Sequence, residues 1–332
     1  MPAADTRISL DALRLDPERA TNEIVDGLRA VVLGEMRRRG AVVALSGGVD
    51  SSVCVSLCAR AFGPERVLAL LMPEAESASD TLELSHLVAH HFGVESMLED
   101  ISALLDAAGC YRRRDEAIRQ VLADYGPGWR AKIVLPSLLD GNRLSVYSVV
   151  AESPTGERRQ ARLTADAYRG VVAATSFKQR TRKVLEYYHA DRLGYAVAGT
   201  PNRLEYDQGF FVKSGDGAAD VKPIAHLYKT QVYQLAEYLD VPETVRSRQP
   251  TTDTYPLSQS QEEFYFSVPF ETMDLCLYAM NSDLPPASVA DAVELSIEQV
   301  ERIFHDIETK RRATAYLQMP PRLLGPVPEI PH

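Results

Sequence analysis

Two hydrophobic spacings alternate along the first part of the chain, one typical of helices and the other of buried strands. The apolar residues of 17–39 fall on one stripe of an ideal helix, so this segment predicts an amphipathic helix. The next segment, 41–46, is a short apolar run that ends at glycines, as expected for a strand buried on both faces of a parallel sheet. A second helix is predicted over about 51–62.

The alternation repeats downstream and predicts the fold class. Further strands are expected at 67–72, 95–100 and 195–199, and further helices at 77–93, up to about 125, at 166–190 and at about 227–240. Strands that alternate with helices predict an α/β fold that is doubly wound around a mainly parallel sheet, with helices on both faces.

One segment breaks the alternation. Residues 126–165 are rich in β-formers and contain the turn signals Gly-Asn and Pro-Thr-Gly, so they predict an inserted β-hairpin. We expect one domain over 1–320 that carries this hairpin, followed by an irregular, proline-rich tail over 321–332. A hairpin at this position would cap a pocket or enlarge a contact between subunits.

A C-terminal helical segment has a pattern similar to a helix-turn-helix. Short amphipathic helices are predicted over 287–295 and 296–312, with a brief turn between them. The second helix carries Glu298 and Glu301, which would meet DNA phosphates unfavourably. The pattern therefore favours a role in packing over DNA binding.

Composition narrows the class of protein. With 332 residues and 45% hydrophobic content, the chain can bury the core of a globular enzyme. Its formal net charge of −10 disfavours broad nucleic-acid binding. The N-terminus lacks the apolar core of a signal peptide, and no run approaches the roughly 20 apolar residues of a membrane span, so we expect a cytoplasmic protein. The four cysteines are too sparse for a disulfide scaffold and should be reduced and mostly buried.

The strongest chemical signal is the run Ser46-Gly47-Gly48-Val49-Asp50-Ser51-Ser52, between the first strand and the second helix. Its glycines let the backbone approach an anion, its serines donate hydrogen bonds, and the helix N-terminus presents unpaired N–H groups to phosphate. Asp50 would repel bare phosphate, so its presence indicates an intervening Mg²⁺. The run lacks the lysine of the kinase and GTPase loop. It resembles the loop of the ATP pyrophosphatases, which cleave ATP between the α- and β-phosphates.

Further motifs narrow the resemblance to the NAD synthetase family. They are Ala198-Gly199-Thr200-Pro201-Asn202-Arg203-Leu204-Glu205, Gly209-Phe210-Phe211-Val212-Lys213-Ser214-Gly215-Asp216-Gly217, Asp220-Val221-Lys222-Pro223-Ile224, Leu227-Tyr228-Lys229-Thr230-Gln231, Pro250-Thr251-Thr252-Asp253 and Lys310-Arg311-Arg312. The similarity covers most of 20–320. The chain departs from the family pattern at Ser176, Gln179 and Ser214, where the family more often has Asn, Ala and an aromatic residue.

The resemblance implies a role for each matching residue. ATP would be bound by Ser46, Gly47, Gly48, Asp50, Ser51, Ser52, Thr200, Lys229 and Thr251. Asp50, Lys229 and Thr251 would serve the reaction itself, and Asp50 and Glu205 would share Mg²⁺. Deamido-NAD would be bound by Arg180, Arg182, Lys213 and Asp216; without the resemblance, these residues would be assigned to a solvated helix face and a surface turn.

The resemblance also implies a reaction and an assembly. A carboxylate of deamido-NAD would attack the α-phosphorus of ATP, and ammonia would then displace AMP to form an amide. Only about 45 residues precede the loop, too few for a glutamine-hydrolysing domain, so free ammonia or a separate amidase subunit is the expected nitrogen donor. The family implies a homodimer with its substrate site across the subunit interface.

Two alternatives to this function stay open. The altered arginine helix and the inserted hairpin are compatible with an amide synthetase of the same fold that acts on another carboxylate. The helix-turn-helix pattern is compatible with a non-catalytic regulator that binds nucleotide or DNA. That regulator would bind ATP without releasing pyrophosphate.

Overall fold

A four-stranded parallel sheet forms the centre of the molecule. The computed structural model describes residues 8–78, 80–139, 146–249, 255–325 and 327–328. The strands of the sheet are β1 (Ala41–Ala44), β2 (Val67–Leu71), β3 (Glu95–Leu98) and β7 (Ala196–Ala198), in the order β3-β2-β1-β7. The chain extends the sheet on one side of β1 with β2 and β3 and on the other side with β7, so the strand order reverses at β1. In an open α/β sheet, ligands bind at the carboxyl ends of the strands at such a reversal.

Twelve α-helices are found within the described ranges. They are α1 (Pro17–Leu28), α2 (Val49–Phe62), α3 (Thr81–His91), α4 (Ser102–Ala107), α5 (Cys110–Arg119), α6 (Ala165–Leu193), α7 (Arg203–Gln208), α8 (Lys229–Tyr238), α9 (Glu243–Arg246), α10 (Phe270–Asn281), α11 (Ala287–Ala290) and α12 (Ile297–Thr314). Short 3-10 helices cover Leu10–Leu13, Pro64–Arg66 and Ala315–Leu317, and π-helical turns cover Arg29–Glu35 and Glu262–Phe266.

Helices cover both faces of the sheet, as the α/β pattern predicts. Ala41 and Val43 on β1 point into a core shared with α1, α2 and α8, whereas Val42 between them points into a core shared with α4, α5 and α6. Successive side chains of a strand point to opposite faces, so a continuous apolar run is required where both faces are covered. The predicted doubly wound fold is confirmed.

The first helix is shorter than its hydrophobic stripe predicts. α1 ends at Leu28, and the chain continues as a π-helical segment to Glu35. At the junction, Arg29 donates hydrogen bonds to the carbonyl oxygens of Arg60 and Ala61 at the end of α2, at 2.9 Å each. The hydrophobic stripe runs through both segments, so it does not mark where α1 ends. It also does not record the contact of Arg29 with α2.

The predicted excursion at 126–165 is a small antiparallel sheet. Its strands are β4 (Arg130–Val134), β5 (Ser148–Glu152) and β6 (Arg158–Arg162), in the order β4-β5-β6. β5 and β6 form the expected hairpin, and β4 adds a third strand. The inner face of this sheet packs against α5 and α6 through Ala131, Ile133, Val149 and Ala151.

The C-terminal helices pack against α10. Val289 from α11 and Val300, Ile303 and Ile307 from α12 are buried in one cluster with α10 side chains. The predicted packing role is thus seen, although α11 is a single turn of helix. Described residues beyond Gln318 form no helix or strand.

Two further expectations concern cysteines and membranes. All four cysteines are free and buried, as expected: Cys54, Cys58, Cys110 and Cys276. No helix within the described ranges is both long enough and apolar enough to cross a membrane.

Candidate active site

The loop after β1 forms one wall of a cavity at the carboxyl edge of the sheet. Gly48 is the N-cap of α2, so the first N–H groups of that helix point toward the cavity. Gly47 has φ of +70°, and a Cβ there would lie 2.8 Å from Cβ of Leu84. Ser51 Oγ donates to the Gly48 carbonyl oxygen at 3.0 Å and lies 3.2 Å from Ser46 Oγ. Glycine at 47 is therefore required by conformation and by space.

Asp50, in the first turn of α2, is held by two partners from distant parts of the chain. Lys229 Nζ donates a hydrogen bond to Asp50 Oδ2, and Asn202 Nδ2 donates to Asp50 Oδ1 at 3.1 Å. Lys229 is only 2% exposed. Burial lowers the pKa of Lys229, but the carboxylates of Asp50 and Glu205 outweigh burial and raise that pKa above its ordinary value. The amine is therefore a buried cation.

Glu205 faces Asp50 from the start of α7. Asn202 and Glu205 form a capping box, in which the Asn202 N–H donates to Glu205 Oε2 at 3.1 Å. Gln261 Nε2 donates to the other oxygen, Oε1, also at 3.1 Å. Burial raises the pKa of Glu205 to about 8, and the negative charge of Asp50 adds to the shift. A cation placed between these carboxylates would relieve that repulsion.

The loop, the carboxylates and the lysine enclose one cavity of about 160 Å³. Its lining residues are Ser46, Gly48, Val49, Asp50, Ser51, Thr81, Thr200, Glu205, Lys229, Tyr233, Val245, Arg248, Gln249 and Gln261. Seven of the residues expected from the sequence are thus brought together. Ser52 is different: its side chain is fully buried and donates to the Gly48 carbonyl oxygen at 2.8 Å. Thr251 lies outside the described residues.

The four residues expected to bind deamido-NAD are not among the described residues that line this cavity. Arg180 Nε donates to the carbonyl oxygen of Lys213 at 3.3 Å, which ties α6 to the loop around Gly215. Arg182 Nε donates to the Met72 carbonyl oxygen at 3.2 Å. Lys213 Nζ donates to the carbonyl oxygens of Tyr316 and Met319, at 2.7 and 3.3 Å. Lys213 therefore contacts the segment that follows α12.

Asp216 stabilises its own turn. Its Oδ1 accepts a hydrogen bond from the Val212 N–H at 2.7 Å. Burial raises the pKa of this carboxyl group, while the Val212 N–H and nearby Lys183 lower it. The structure thus gives Asp216 a conformational role in the loop that carries Lys213.

Sequence reasoning missed several polar residues in and behind the wall of the cavity, among them Arg248, Gln261 and Asp274. Arg248 lines it and pairs with Asp80 at 2.9 Å, and Gln261 reaches Glu205. Asp274, fully buried on α10, accepts hydrogen bonds from the backbone N–H groups of Lys229 and Thr230 at 3.2 and 2.7 Å. An acid within an apolar helix was a weak signal for Asp274. Arg248 and Gln261 lie in segments without a recognisable motif.

Comparison with known proteins identifies the family. A model of the NAD synthase family matches residues 20–124 and 154–314. The chain belongs to the NAD synthase family. The family expected from the motifs is thereby confirmed. The unmatched interval contains β4 and β5, so most of the inserted sheet lies outside what the NAD synthase model describes.

Curated relatives in the NAD synthase family cover nearly the whole chain. The NH(3)-dependent NAD(+) synthetase of Rhizobium meliloti is 55% identical over 322 residues, which are 97% of this chain and 96% of the relative. The NH(3)-dependent NAD(+) synthetase of Thermotoga maritima is 34% identical over 281 residues, 84% of this chain and 92% of the relative.

Solved structures show the same fold at low sequence identity. NMN synthetase from Francisella tularensis aligns with a TM-score of 0.65 at 20% identity, over 95% of this chain and 100% of that one. NH3-dependent NAD synthetase from Campylobacter jejuni, in complex with nitrate, aligns with a TM-score of 0.61 at 22% identity, over 94% and 100%.

Proposed function

We propose that the protein forms NAD from deamido-NAD, ATP and ammonia, releasing AMP and pyrophosphate. The observation that carries the proposal is the cavity that joins the α2 N-terminus, Asp50, Glu205 and Lys229 in a chain of the NAD synthase family. ATP and ammonia as substrates agree with the cytoplasmic location expected from the sequence.

The cavity is suited to the triphosphate of ATP. The first N–H groups of α2 and the hydroxyls of Ser46 and Ser51 would donate to phosphate oxygens, and Ser51 would exchange its hydrogen bond to the Gly48 carbonyl oxygen for one to phosphate. Among the described lining residues, Lys229 and Arg248 are the two with permanent positive charge. Both would contact oxygens that gain charge as pyrophosphate leaves, so their contribution grows toward the transition state.

Formation of the amide from the carboxylate and ammonia needs no nucleophile from the protein. The nicotinate carboxylate attacks the α-phosphorus, and the bond to pyrophosphate breaks. Ammonia then attacks the carbonyl carbon of the acyl-adenylate, AMP leaves with the bonding electrons, and the nitrogen loses a proton to give the amide. Positioning of the two substrates supplies much of the rate enhancement in such a reaction.

The donor set of the cavity fits Mg²⁺. Asp50 and Glu205 supply carboxylate oxygens. Within the described part of the chain, no group of three or more His, Cys, Asp or Glu side chains could hold a metal ion, so any metal bound here would need further ligands from substrate or water. Mg²⁺ is usually held by one or two carboxylates together with substrate phosphates. We infer that Asp50 and Glu205 hold it, and bound Mg²⁺ would neutralise charge on the departing pyrophosphate.

Arg180, Arg182, Lys213 and Asp216 would bind deamido-NAD at a homodimer interface. The helix of both arginines, α6, exposes Val184 and Tyr188, which are 68% and 59% exposed and lie four residues apart on one helical face. Large apolar side chains exposed together commonly mark a protein contact. The exposed face on the helix that carries both arginines supports a second copy of the chain as the partner.

The deciding experiment measures NAD, AMP and pyrophosphate formed from ATP, Mg²⁺, ammonium and deamido-NAD. We expect equal amounts of the three products, and none with Asp50→Ala. Replacing ammonium with glutamine should abolish NAD formation. If wild-type protein consumes ATP with nicotinate mononucleotide but not with deamido-NAD, the amide synthetase acts on another carboxylate. ATP binding without pyrophosphate release from any acid would instead indicate a regulator.

A further inference from the structure

The inserted sheet is attached to the segment that carries Gln261, a residue that lines the cavity. Lys132 on β4 donates to both carboxylate oxygens of Glu263, at 2.7 and 2.8 Å, and to the Ser258 carbonyl oxygen at 3.2 Å. The Lys132 side chain is only 16% exposed. The backbone N–H of Leu135 donates to the Glu263 carbonyl oxygen at 3.3 Å. The free edge of β4 is thus covered by this segment.

Buried contacts strengthen the attachment. Gln259 is 1% exposed, and its Nε2 donates to the Ile133 carbonyl oxygen. Tyr255 is buried in the apolar cluster beneath the inserted sheet, and Phe264 packs against that cluster. Residues 255–264 are therefore held at both ends, by the apolar cluster beneath the inserted sheet and by hydrogen bonds to β4.

Between these anchors, Gln261 faces the cavity. Its Nε2 donates to Glu205 Oε1 at 3.1 Å, while the Asn202 N–H donates to Oε2 at 3.1 Å. One carboxylate oxygen is thus oriented by α7 itself and the other by the segment bound to β4. The family model is interrupted from 125 to 153, so Lys132 and Ile133 belong to the part of the chain that the family model does not match.

We propose that the inserted sheet positions Glu205: β4 fixes residues 258–263, and Gln261 from that segment orients the Glu205 carboxylate toward the cation of the ATP complex. The inference rests on the proposed role of Glu205 as a metal ligand. Groups that orient a metal ligand typically contribute 10- to 100-fold to metal affinity or activity, so roughly this range is expected for Gln261. Lys132 acts one step further away and should contribute several-fold.

The test compares Lys132→Met, Gln261→Ala, the double variant and Arg158→Met. Arg158 is the matched control, because it lies on β6 of the same sheet and pairs with Glu152 instead of the 258–263 segment. The probe is Mn²⁺ binding in the presence of ATP without deamido-NAD, followed by electron paramagnetic resonance. Hydrogen exchange of peptides from 258–266, measured without any metal, provides a second readout.

We expect Lys132→Met to weaken Mn²⁺ binding several-fold, Gln261→Ala to weaken it roughly 10-fold or more, and Arg158→Met to leave it unchanged. The double variant should match Gln261→Ala, because both changes act on one contact. Lys132→Met should also speed exchange in 258–266, and Lys132→Arg should restore both readouts.

Three results would overturn the proposal: wild-type Mn²⁺ binding in Lys132→Met, independent effects that multiply in the double variant, or a wild type that does not bind Mn²⁺. Failure of the proposed reaction is separable from these results. A wild type that makes no NAD, while the variants still show the expected order of Mn²⁺ binding, would contradict the reaction and leave the positioning role supported.

Discussion

Lys229 donates a hydrogen bond to Asp50, although 179 residues separate them in the sequence. Lys229 is the first residue of α8, and Asp50 lies in the first turn of α2. The two helices pack side by side on the same face of the sheet. Their N-termini consequently bring a cation and a carboxylate to the same wall of the cavity.

Replacing Lys229 should separate catalysis from stability. Lys229→Met removes a cation that would stabilise the departing pyrophosphate, and we expect kcat for AMP formation to fall about 10²- to 10³-fold. It also leaves Asp50 with an unpaired charge, so the free energy of unfolding in urea should decrease. Lys229→Met/Asp50→Asn should regain stability but remain inactive. Recovery of activity in the double variant would contradict the role of Lys229.

Arg248 should act on ATP. Hydrogen bonds to charged groups contribute about 1.5–3 kcal/mol, so Arg248→Gln should raise KM for ATP at least tenfold and leave KM for deamido-NAD nearly unchanged. Arg246→Gln is the control, because Arg246 lies two residues away, pairs with Glu243 and does not line the cavity. Initial rates of pyrophosphate release measure both constants. Equal effects of the two variants would show that Arg248 has no specific contact with ATP.

Asp274 should make stability depend on pH. Burial raises the pKa of Asp274 to about 7, although the backbone N–H groups of Thr230 and Lys229 oppose the shift. The folded protein then retains a proton that the unfolded chain loses above pH 3.8, so this stabilising contribution falls as pH rises from there to about 7.

Asp274→Asn removes that titration and keeps an acceptor for α8. The difference in unfolding free energy between wild type and Asp274→Asn should therefore change in favour of the variant between pH 5 and pH 7, and only slightly more between pH 7 and pH 8. Urea titrations at pH 5, 7 and 8 measure the difference. A gap that is the same at all three values would place the pKa of Asp274 in its ordinary range.

Gly47 and Gly27 should respond oppositely to alanine. Gly47→Ala places a Cβ 2.8 Å from Leu84 in a residue with φ of +70°, so we expect a loss of roughly 1–3 kcal/mol of stability together with weaker ATP binding. Gly27 lies within α1, and a Cβ added there would meet no atom within 4 Å. Gly27→Ala should stabilise the protein by up to about 1 kcal/mol, because alanine favours the helix. Thermal unfolding tests both.

The exposed face of α6 should control assembly. Tyr188→Glu introduces a charge into the proposed interface and should convert a dimer into a monomer, as measured by light scattering during size-exclusion chromatography. Tyr238→Glu is the control, because Tyr238 is 40% exposed on α8, a different helix. A monomeric wild type, or a dimer in both variants, would contradict an interface on α6.

The sequence by itself determined the sheet and the glycine loop that follows β1. Buried strands must be apolar on both faces, so β1, β2 and β7 were visible as short apolar runs, and the glycines after β1 marked a turn that only glycine tolerates. The fold class followed from such local requirements, whereas the family and half of the residues that line the cavity followed from the resemblance of motifs. The capping residues Asn202 and Glu205 were also found within one motif.

Only the tertiary structure decided which distant residues share the cavity. Arg248, Gln261 and Asp274 act through contacts between elements far apart in the chain, and no periodicity or short motif records such contacts. The third strand of the inserted sheet and its attachment to residues 258–263 were hidden for the same reason. Hydrogen bonds at a strand edge are made by the backbone, which is chemically alike at every residue, so their partner is selected by packing of the whole fold.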